Sequence, residues 1–205
     1  LDKPLKRILI TSAGPGEGKT LTAVNLSVSI AREGKKVLLM DTDLRRSTVH
    51  KHFNLGNTVG VTNVLLGEKD VQAAIFKTET EGLFVMPAGP VPVDPARLLE
   101  SHKMHQLVDD MAEKFDVVVL DTAPALVIDD AIILSPHMDG VVDVVESGRG
   151  TVQVVTQMEE VLRLAKATFL GVVLNKKKTL RGTSDYYRYY RYYAKSKKAT
   201  RERKV

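Results

Sequence analysis

The sequence predicts an α/β fold in which a doubly wound, mostly parallel sheet is flanked by helices. Short apolar segments rich in Val, Ile and Leu recur along the 205-residue chain without polar alternation, which is typical of parallel strands covered on both faces. Segments with a helical pattern separate them, so strands and helices alternate. The predicted strands are residues 7–11, 36–40, 83–86, 117–120, 140–145 and 169–174, and the predicted helices are residues 19–33, 101–114, 131–135 and 151–166.

Glycine and proline mark where several of these elements end. Gly34 and Gly67 are predicted to end helices, because glycine adopts the left-handed conformation that follows a helix without a steric penalty. Residues 87–95 contain four prolines and are predicted to form a loop.

The end of the chain differs from the rest. Apolar periodicity stops near residue 176, and residues 176–205 contain 12 Lys and Arg against 2 Asp and Glu, which is +10 in a chain of net charge +5. Such a segment attracts acidic partners, anionic lipid or nucleic acid, or is simply solvated. We expect an ATP-binding domain over residues 1–177 and a disordered, basic, tyrosine-rich tail over residues 178–205.

The composition also excludes several classes of protein. With 43% hydrophobic and 27% charged residues, the chain can form a packed core. It has no apolar run of about eighteen residues, so no transmembrane helix is expected. It has no cysteine, which excludes disulfides, cysteine-bound zinc and thiol chemistry.

Residues 12–20, with the sequence Ser-Ala-Gly-Pro-Gly-Glu-Gly-Lys-Thr, lie between a predicted strand and a predicted helix. A glycine-rich loop in this position is typical of a P-loop, whose backbone N–H groups surround phosphate oxygens at the start of a helix. The lysine would contact the β- and γ-phosphates of ATP, and the threonine hydroxyl would bind Mg²⁺. Ala13 replaces the first glycine of the G-x-x-x-x-G-K-[ST] pattern, and an ordinary glycine-rich turn is the alternative. The predicted ATP-binding residues of the loop are Ala13, Gly14, Pro15, Gly16, Glu17, Gly18, Lys19 and Thr20.

Aspartates follow two of the predicted strands. Asp41 and Asp43 come after the strand at 36–40, and Asp121 comes after the strand at 117–120. Ligands of open α/β sheets bind at this carboxyl edge, and Mg²⁺ takes one or two carboxylates together with phosphate oxygens and water. Asp121 is predicted to hold the metal through water, and Asp41 to serve the metal or the nucleophile, while Asp43 suits either task. Helix capping is the alternative role for such aspartates.

Asn175 follows the last predicted strand. Its amide offers both a donor and an acceptor to the edge of a base. It is therefore predicted to contact the adenine of ATP, with a structural role in a turn as the alternative.

All six tyrosines of the chain lie in one eight-residue segment, YYRYYRYY. Interleaved Arg and Tyr suit three roles: stacking on single-stranded nucleic acid, contact with a membrane surface, or accepting phosphate, which adds about −1.5 to −2 charges per tyrosine. In a chain with an ATP site, phosphorylation accounts for both features at once. The predicted phosphorylation sites are Tyr186, Tyr187, Tyr189, Tyr190, Tyr192 and Tyr193.

Together, the motifs PGEGKT, VLLMDTDLRR and VVVLDTAP and the terminal tyrosine cluster resemble the bacterial tyrosine kinases that regulate capsule and exopolysaccharide synthesis. The resemblance extends from residue 6 to residue 193. It implies a P-loop NTPase fold, ATP as substrate and Mg²⁺ as cofactor. It also implies that Lys19, Asp41, Asp43 and Asp121 are catalytic, with Thr20, Asp41 and Asp121 at the metal.

The same resemblance implies that the chain phosphorylates the tyrosines of its own C-terminal cluster, between neighbouring subunits. The expected partners are a transmembrane activator protein or domain, other subunits of a homo-oligomer that forms a ring, and a tyrosine phosphatase, with no specific nucleic acid. The expected location is the cytoplasm, at the inner face of the membrane through the activator. The alternatives are a partitioning or division-site ATPase, which typically has a lysine where Gly14 stands, and a nucleotide-dependent adaptor without kinase activity.

Overall fold

A seven-stranded sheet runs through the centre of the molecule, which a computed structural model describes over residues 4–177. The predicted tail lies outside these described residues. The strands are β1 (Arg7–Thr11), β2 (Val37–Asp41), β3 (Phe76–Lys77), β4 (Leu83–Met86), β5 (Val117–Asp121), β6 (Gly140–Glu146) and β7 (Phe169–Asn175). Their order in the sheet is β3-β4-β2-β5-β1-β6-β7, and all pairs are parallel except β3 with β4. The predicted doubly wound, mostly parallel α/β fold is confirmed.

Helices cover both faces of this sheet. Within residues 4–177 none of them is long and apolar enough to cross a membrane. The helices are α1 (Lys19–Arg32), α2 (Val49–His52), α3 (Val61–Leu66), α4 (Pro95–Glu100), α5 (His102–Lys114), α6 (Asp130–Leu134) and α7 (Val152–Leu164), with 3₁₀ turns at Val71–Ala74 and Ser135–His137.

Two apolar layers hold the helices to the sheet. Successive side chains of a strand point to opposite faces, so Leu38 and Met40 of β2 pack in one layer and Val37 and Leu39 in the other. The first layer contains residues of α3 to α7, and the second contains residues of α1 and α2. Because the central strands are buried on both faces, their sequences are uninterrupted apolar runs.

The six predicted strands and four predicted helices are all present, and their ends shift by at most two residues. β3, α2, α3 and α4 were not predicted. Each has six residues or fewer, and a segment of that length is too short to show a hydrophobic period.

Both glycines that were predicted to end helices are confirmed, and one predicted loop boundary is wrong. Gly67 caps α3 with a φ of 75°, and Gly34, with a φ of 85°, follows the end of α1. The loop predicted to extend to residue 95 ends earlier, because Pro95 begins α4. Proline suits the first position of a helix, where its missing N–H needs no partner, and the Asp94 carboxylate caps the helix by accepting a hydrogen bond from the Arg97 N–H.

Gly60 is predicted to be required for stability because it packs directly on the backbone that follows β4. The N–H groups of Val61 and Thr62 donate hydrogen bonds to the carbonyls of Pro87 and Ala88, at 2.8 and 2.9 Å. A Cβ at Gly60 would overlap these backbone groups. We expect Gly60→Ala to lower the free energy of unfolding by about 1–3 kcal/mol, as overpacking does, in urea denaturation.

Gly56→Ala is the matched control, since a Cβ at Gly56 meets no atom within 4 Å. Equal stability of the Gly60→Ala and Gly56→Ala proteins would contradict the close approach of α3 to this loop.

Candidate active site

The carboxyl ends of β2, β5 and β1 lie side by side, and each leads into one of the sequence motifs. In the register of the sheet, Asp41 of β2 is directly beside Asp121 of β5. β1 leads into the glycine-rich loop, after which α1 begins at Lys19. The topology thus gathers the predicted catalytic residues at one edge.

The glycine-rich loop has the conformation that its glycines allow. Gly16 and Gly18 have φ values of 81° and 98°, in the left-handed region that favours glycine. The side chain of Glu17 is turned into the protein, where its Oε2 accepts a hydrogen bond from the Gly14 N–H at 2.7 Å. Glu17 therefore stabilises the loop from inside the protein, and the backbone of the loop faces the ligand site. Ala13 is buried where the common pattern has glycine, so its methyl group is accommodated by the fold.

Lys19 connects the loop to the second motif. Its Nζ lies 3.3 Å from Asp43 Oδ2 and 3.5 Å from Thr20 Oγ1. Asp43 Oδ1 accepts a hydrogen bond from the Arg46 N–H at 2.9 Å, which fixes the carboxylate. The ammonium group is therefore held beside the position that the phosphates of a nucleotide would take above the loop.

Asp41 has one oxygen in use and one free. Its Oδ2 accepts hydrogen bonds from the N–H groups of Thr48 and Val49, at 3.1 and 3.0 Å, at the start of α2. Its Oδ1 is buried without a partner. Burial, and then the charge of Asp121, raise the pKa of Asp41 to about 8. One oxygen of Asp41 thus caps the start of α2, and the other is left without a partner.

Asp121 is buried with no partner for either carboxylate oxygen. Burial raises its pKa to about 6, although the Lys19 ammonium opposes the shift. Unsatisfied buried carboxylates are costly, and a cation would satisfy them. No group of three or more His, Cys or acidic side chains within residues 4–177 is arranged to hold a metal. The site instead suits Mg²⁺, which needs only one or two carboxylates from the protein and takes its remaining ligands from phosphate and water. The Thr20 hydroxyl would be a further ligand here.

Asn175 is placed against the glycine-rich loop. Its Nδ2 donates a hydrogen bond to the Glu17 carbonyl at 2.9 Å, and its Oδ1 accepts one from the Lys176 N–H at 2.8 Å. The structure therefore gives the amide the structural role that was the alternative. Contact with adenine stays a prediction, for which the second N–H of Nδ2 and the second lone pair of Oδ1 remain.

An ion pair that the sequence did not predict supports the second motif. Arg45 donates to both oxygens of Asp130, with Nε–Oδ2 at 3.0 Å and Nη2–Oδ1 at 3.2 Å. Asp130, in the first turn of α6, is fully buried, whereas the Arg45 side chain is 34% exposed. The partners are 85 residues apart in sequence, so no local pattern links them. The pair ties the loop that carries Asp43 to the helix that follows β5.

A second unpredicted group is a carboxylate inside the sheet. Asp143 of β6 lies beside Thr11, the last residue of β1, and both its oxygens are buried without a partner. Burial, with a smaller contribution from the charge of Glu17, raises its pKa to about 6. The strand pattern, in which Asp143 interrupts an apolar run, was the available signal.

The comparison with known proteins agrees with the geometry of the site. The chain matches the family model described as an AAA domain over residues 5–172. It is 43% identical over 178 residues to tyrosine-protein kinase YwqD of Bacillus subtilis, an alignment that covers 87% of this chain and 75% of that protein.

Solved structures with the same fold include two kinds of ATP-dependent protein. The kinase domain of Escherichia coli tyrosine kinase ETK superposes with a TM-score of 0.82 at 29% identity, over 88% of this chain and 72% of that chain. The cell division ATPase MinD of Pyrococcus furiosus superposes with a TM-score of 0.70 at 28% identity, over 82% and 71% of the two chains.

The Arg45–Asp130 pair predicts an asymmetric response to mutation. Arg45→Met would leave the buried Asp130 carboxylate unpaired, whereas after Asp130→Asn the Arg45 side chain can turn to solvent. We expect Arg45→Met to lower the free energy of unfolding by about 2–4 kcal/mol and Asp130→Asn by about 1 kcal/mol, in urea unfolding at neutral pH. A larger loss for Asp130→Asn than for Arg45→Met would contradict this account.

Asp143 predicts a dependence of stability on pH. Its pKa in the folded protein, about 6, exceeds its ordinary value of 3.8, so the folded state binds the proton more tightly than the unfolded chain. Stability is therefore lost as pH rises from about 4 to above 6, by at most about 3 kcal/mol. We expect Asp143→Asn to be more stable than the parent protein by about 1–2 kcal/mol at pH 8, with the difference shrinking by pH 4.5.

Asp139→Asn is the control of opposite sign. Burial opposes ionisation there, but hydrogen bonds from the Arg7 side chain and backbone outweigh it and lower the pKa of Asp139. Its charge therefore stabilises the protein above its ordinary pKa, and Asp139→Asn should be less stable than the parent at pH 8. A destabilised Asp143→Asn protein at pH 8 would contradict the assignment.

Proposed function

This chain belongs to the bacterial tyrosine-protein kinases, and we propose that it transfers the γ-phosphoryl group of ATP to the tyrosines of its own C-terminal cluster, between neighbouring subunits. The observation that carries the proposal is the meeting of Lys19, Asp43, Asp41 and Asp121 at the carboxyl edge beside the glycine-rich loop. The relatives that define the family are kinases, so the division-site ATPase and the adaptor without activity are set aside.

Nucleotide binding is proposed to rest on the loop and on Lys19. The backbone N–H groups of residues 16–20 would surround the phosphates at the start of α1, where the helix dipole also favours negative charge. Lys19 exchanges its contact with Asp43 for the β- and γ-phosphate oxygens. These interactions act where charge develops during transfer, which is the main way in which proteins catalyse phosphoryl transfer.

Mg²⁺ is the proposed cofactor, held by Thr20 and, through water, by Asp121 and Asp41, so that the free oxygen of Asp41 can still accept a proton. When bound, it neutralises charge on the β- and γ-phosphate oxygens. Thr20 is anchored for this role because its Oγ1 lies 3.3 Å from the hydroxyl of Thr48, next to the groups that fix Asp41. The side chains on this surface are therefore positioned before any ligand arrives.

The tyrosine hydroxyl is the proposed nucleophile. A phenol has an ordinary pKa of about 10, so it needs little activation compared with water. As the phenol oxygen forms its bond to the γ-phosphorus and the bond to ADP breaks, the phenolic proton passes to the Asp41 carboxylate.

The biological role that we propose is regulation of capsular and exopolysaccharide synthesis. The proposed partners are a transmembrane activator protein or domain, neighbouring subunits of a ring-shaped homo-oligomer, and a tyrosine phosphatase. The proposed location is the inner face of the cell membrane, reached through the activator. The support is membership of the family together with the tyrosine cluster of the sequence.

The proposed reaction predicts dependence on the loop lysine. Incubation of the full chain with Mg²⁺ and γ-labelled ATP, followed by phosphosite mapping, should find label within residues 186–193. Lys19→Met should lower the rate of labelling at least about 100-fold, as removal of one charge-stabilising group does in related chemistry. Lys35→Met is the matched control, because Lys35 is exposed at the opposite edge of the sheet, and it should label at the parent rate. A folded Lys19→Met protein that labels normally would refute the site.

A further inference from the structure

The end of β7 contacts the glycine-rich loop through two neighbouring residues. Asn175 Nδ2 donates a hydrogen bond to the Glu17 carbonyl at 2.9 Å, and Lys176 Nζ donates one to the Gly16 carbonyl at 2.6 Å. A Cβ at Gly18 would overlap the Asn175 amide, so this close approach is possible only because residue 18 is glycine. Two consecutive carbonyls of the loop are thus held by the end of one strand.

These contacts fix the direction of the two N–H groups that belong to the same peptide units. In a trans peptide the C=O and N–H bonds point in opposite directions, and all peptide bonds within residues 4–177 are trans. The N–H groups of Glu17 and Gly18 therefore point away from Lys176 and Asn175. Within residues 4–177 neither of these N–H groups donates to another part of the chain, so both are available to a ligand.

The loop needs such support because its glycines allow the peptide units to turn over. Gly16 and Gly18 have φ values of 81° and 98°, and glycine passes between left-handed and right-handed conformations with little penalty. If the peptide unit between Gly16 and Glu17 turned over, a carbonyl oxygen would replace an N–H group at the phosphate site. Since N–H groups attract an anion and carbonyl oxygens repel it, the orientation of this peptide unit decides how well the loop binds phosphate.

Lys176 is itself held in place by the end of β6. Its Nζ lies 3.1 Å from Glu146 Oε2, and the register of β6 with β7 sets Glu146 beside Asn175. Arg149 approaches the same oxygen of Glu146 at 3.6 Å. The hydrogen bond from Lys176 lowers the pKa of Glu146, so this carboxylate is ionised at neutral pH. The contact of Lys176 with the loop therefore belongs to a group of ion pairs anchored on the sheet.

The charge of Lys176 adds to the effect of its hydrogen bond. A cation at a carbonyl oxygen draws electron density through the peptide unit and makes the N–H at the other end a stronger donor, since linked hydrogen bonds polarise one another. Hydrogen bonds from charged donors are also shorter and stronger than neutral ones, in agreement with the 2.6 Å distance to the Gly16 carbonyl. The N–H of Glu17 is the group that gains from this polarisation.

We propose that Lys176 is a positioning residue for nucleotide binding, which holds and polarises the peptide unit between Gly16 and Glu17 so that the Glu17 N–H faces the phosphates of ATP. The inference rests on the proposed function, because it requires the phosphates to bind at this loop. The peptide unit is oriented before ATP arrives and stays so during transfer. Lys176 therefore acts on the affinity for ATP and has little effect on the rate at saturating ATP.

The nucleotide affinity of Lys176→Met tests the proposal. The Lys176 side chain is 47% exposed, so its replacement leaves the core intact. Titration of the full chain with a fluorescent ATP analogue in the presence of Mg²⁺ should show about tenfold weaker binding, the effect of losing one hydrogen bond from a charged group. The KM for ATP in the labelling reaction should rise with it, while the rate at saturating ATP stays close to that of the parent. Lys177→Met is the matched control, because the neighbouring Lys177 is exposed and its replacement removes the same charge, and it should bind as the parent does.

The second readout is the signal of the Glu17 amide proton in the NMR spectrum of the nucleotide-free protein. Lys176→Met should move this signal upfield, because the peptide unit is no longer polarised, whereas Lys177→Met should leave it in place. Equal affinity of the Lys176→Met and parent proteins, an equal loss in Lys177→Met, or an unmoved Glu17 signal would overturn the role of Lys176. Failure of the parent protein to bind the ATP analogue would instead refute nucleotide binding at the loop, and this inference with it.

Discussion

The register between β2 and β5 is the constraint on which the rest of the site depends. It places Asp41 beside Asp121 at the carboxyl edge, inside the protein, with three of their four carboxylate oxygens lacking a partner. Loss of hydration on burial raises the pKa of both carboxyl groups above the usual range, and the charge of Asp121 adds to the shift of Asp41. The layered core of the sheet must offset this cost, and a cation with a phosphate ligand would remove it.

The glycine-rich loop is held from two sides by contacts with other parts of the chain. From the side of β6 and β7, Asn175 donates to the Glu17 carbonyl, and Lys176 Nζ donates to the Gly16 carbonyl at 2.6 Å and to Glu146 at 3.1 Å. From the other side, Lys19 contacts Asp43. Lys176, the residue that follows β7, is thus bonded to the glycine-rich loop.

The second motif is held at both of its ends as well. Arg45 is paired with the buried Asp130, and Ser47 is bonded to Asn57, which also fixes the loop after β4. Asp41 and Asp43 therefore project from a segment supported by α6 on one side and by the loop after β4 on the other. A rigid support of this kind reduces the reorganisation needed when charge develops during transfer.

The sequence by itself determined the fold class and the central strands, and it pointed to the candidate site residues of the glycine-rich loop and the two aspartate motifs. These are local signals: an apolar run, a glycine pattern, or a carboxylate at a strand end can be recognised within about ten residues. Short elements such as α3 and α4 escaped because they contain too few residues for a period.

Only the tertiary structure decided which side chains meet. The Arg45–Asp130 pair and the contact of Asn175 with the loop join residues far apart in the chain. The burial of Asp143 likewise depends on the packing of elements distant in sequence. Whether a carboxylate forms an ion pair, caps a helix or has no partner depends on strand order and register. Strand order and register in turn follow from how the whole set of apolar faces is buried together.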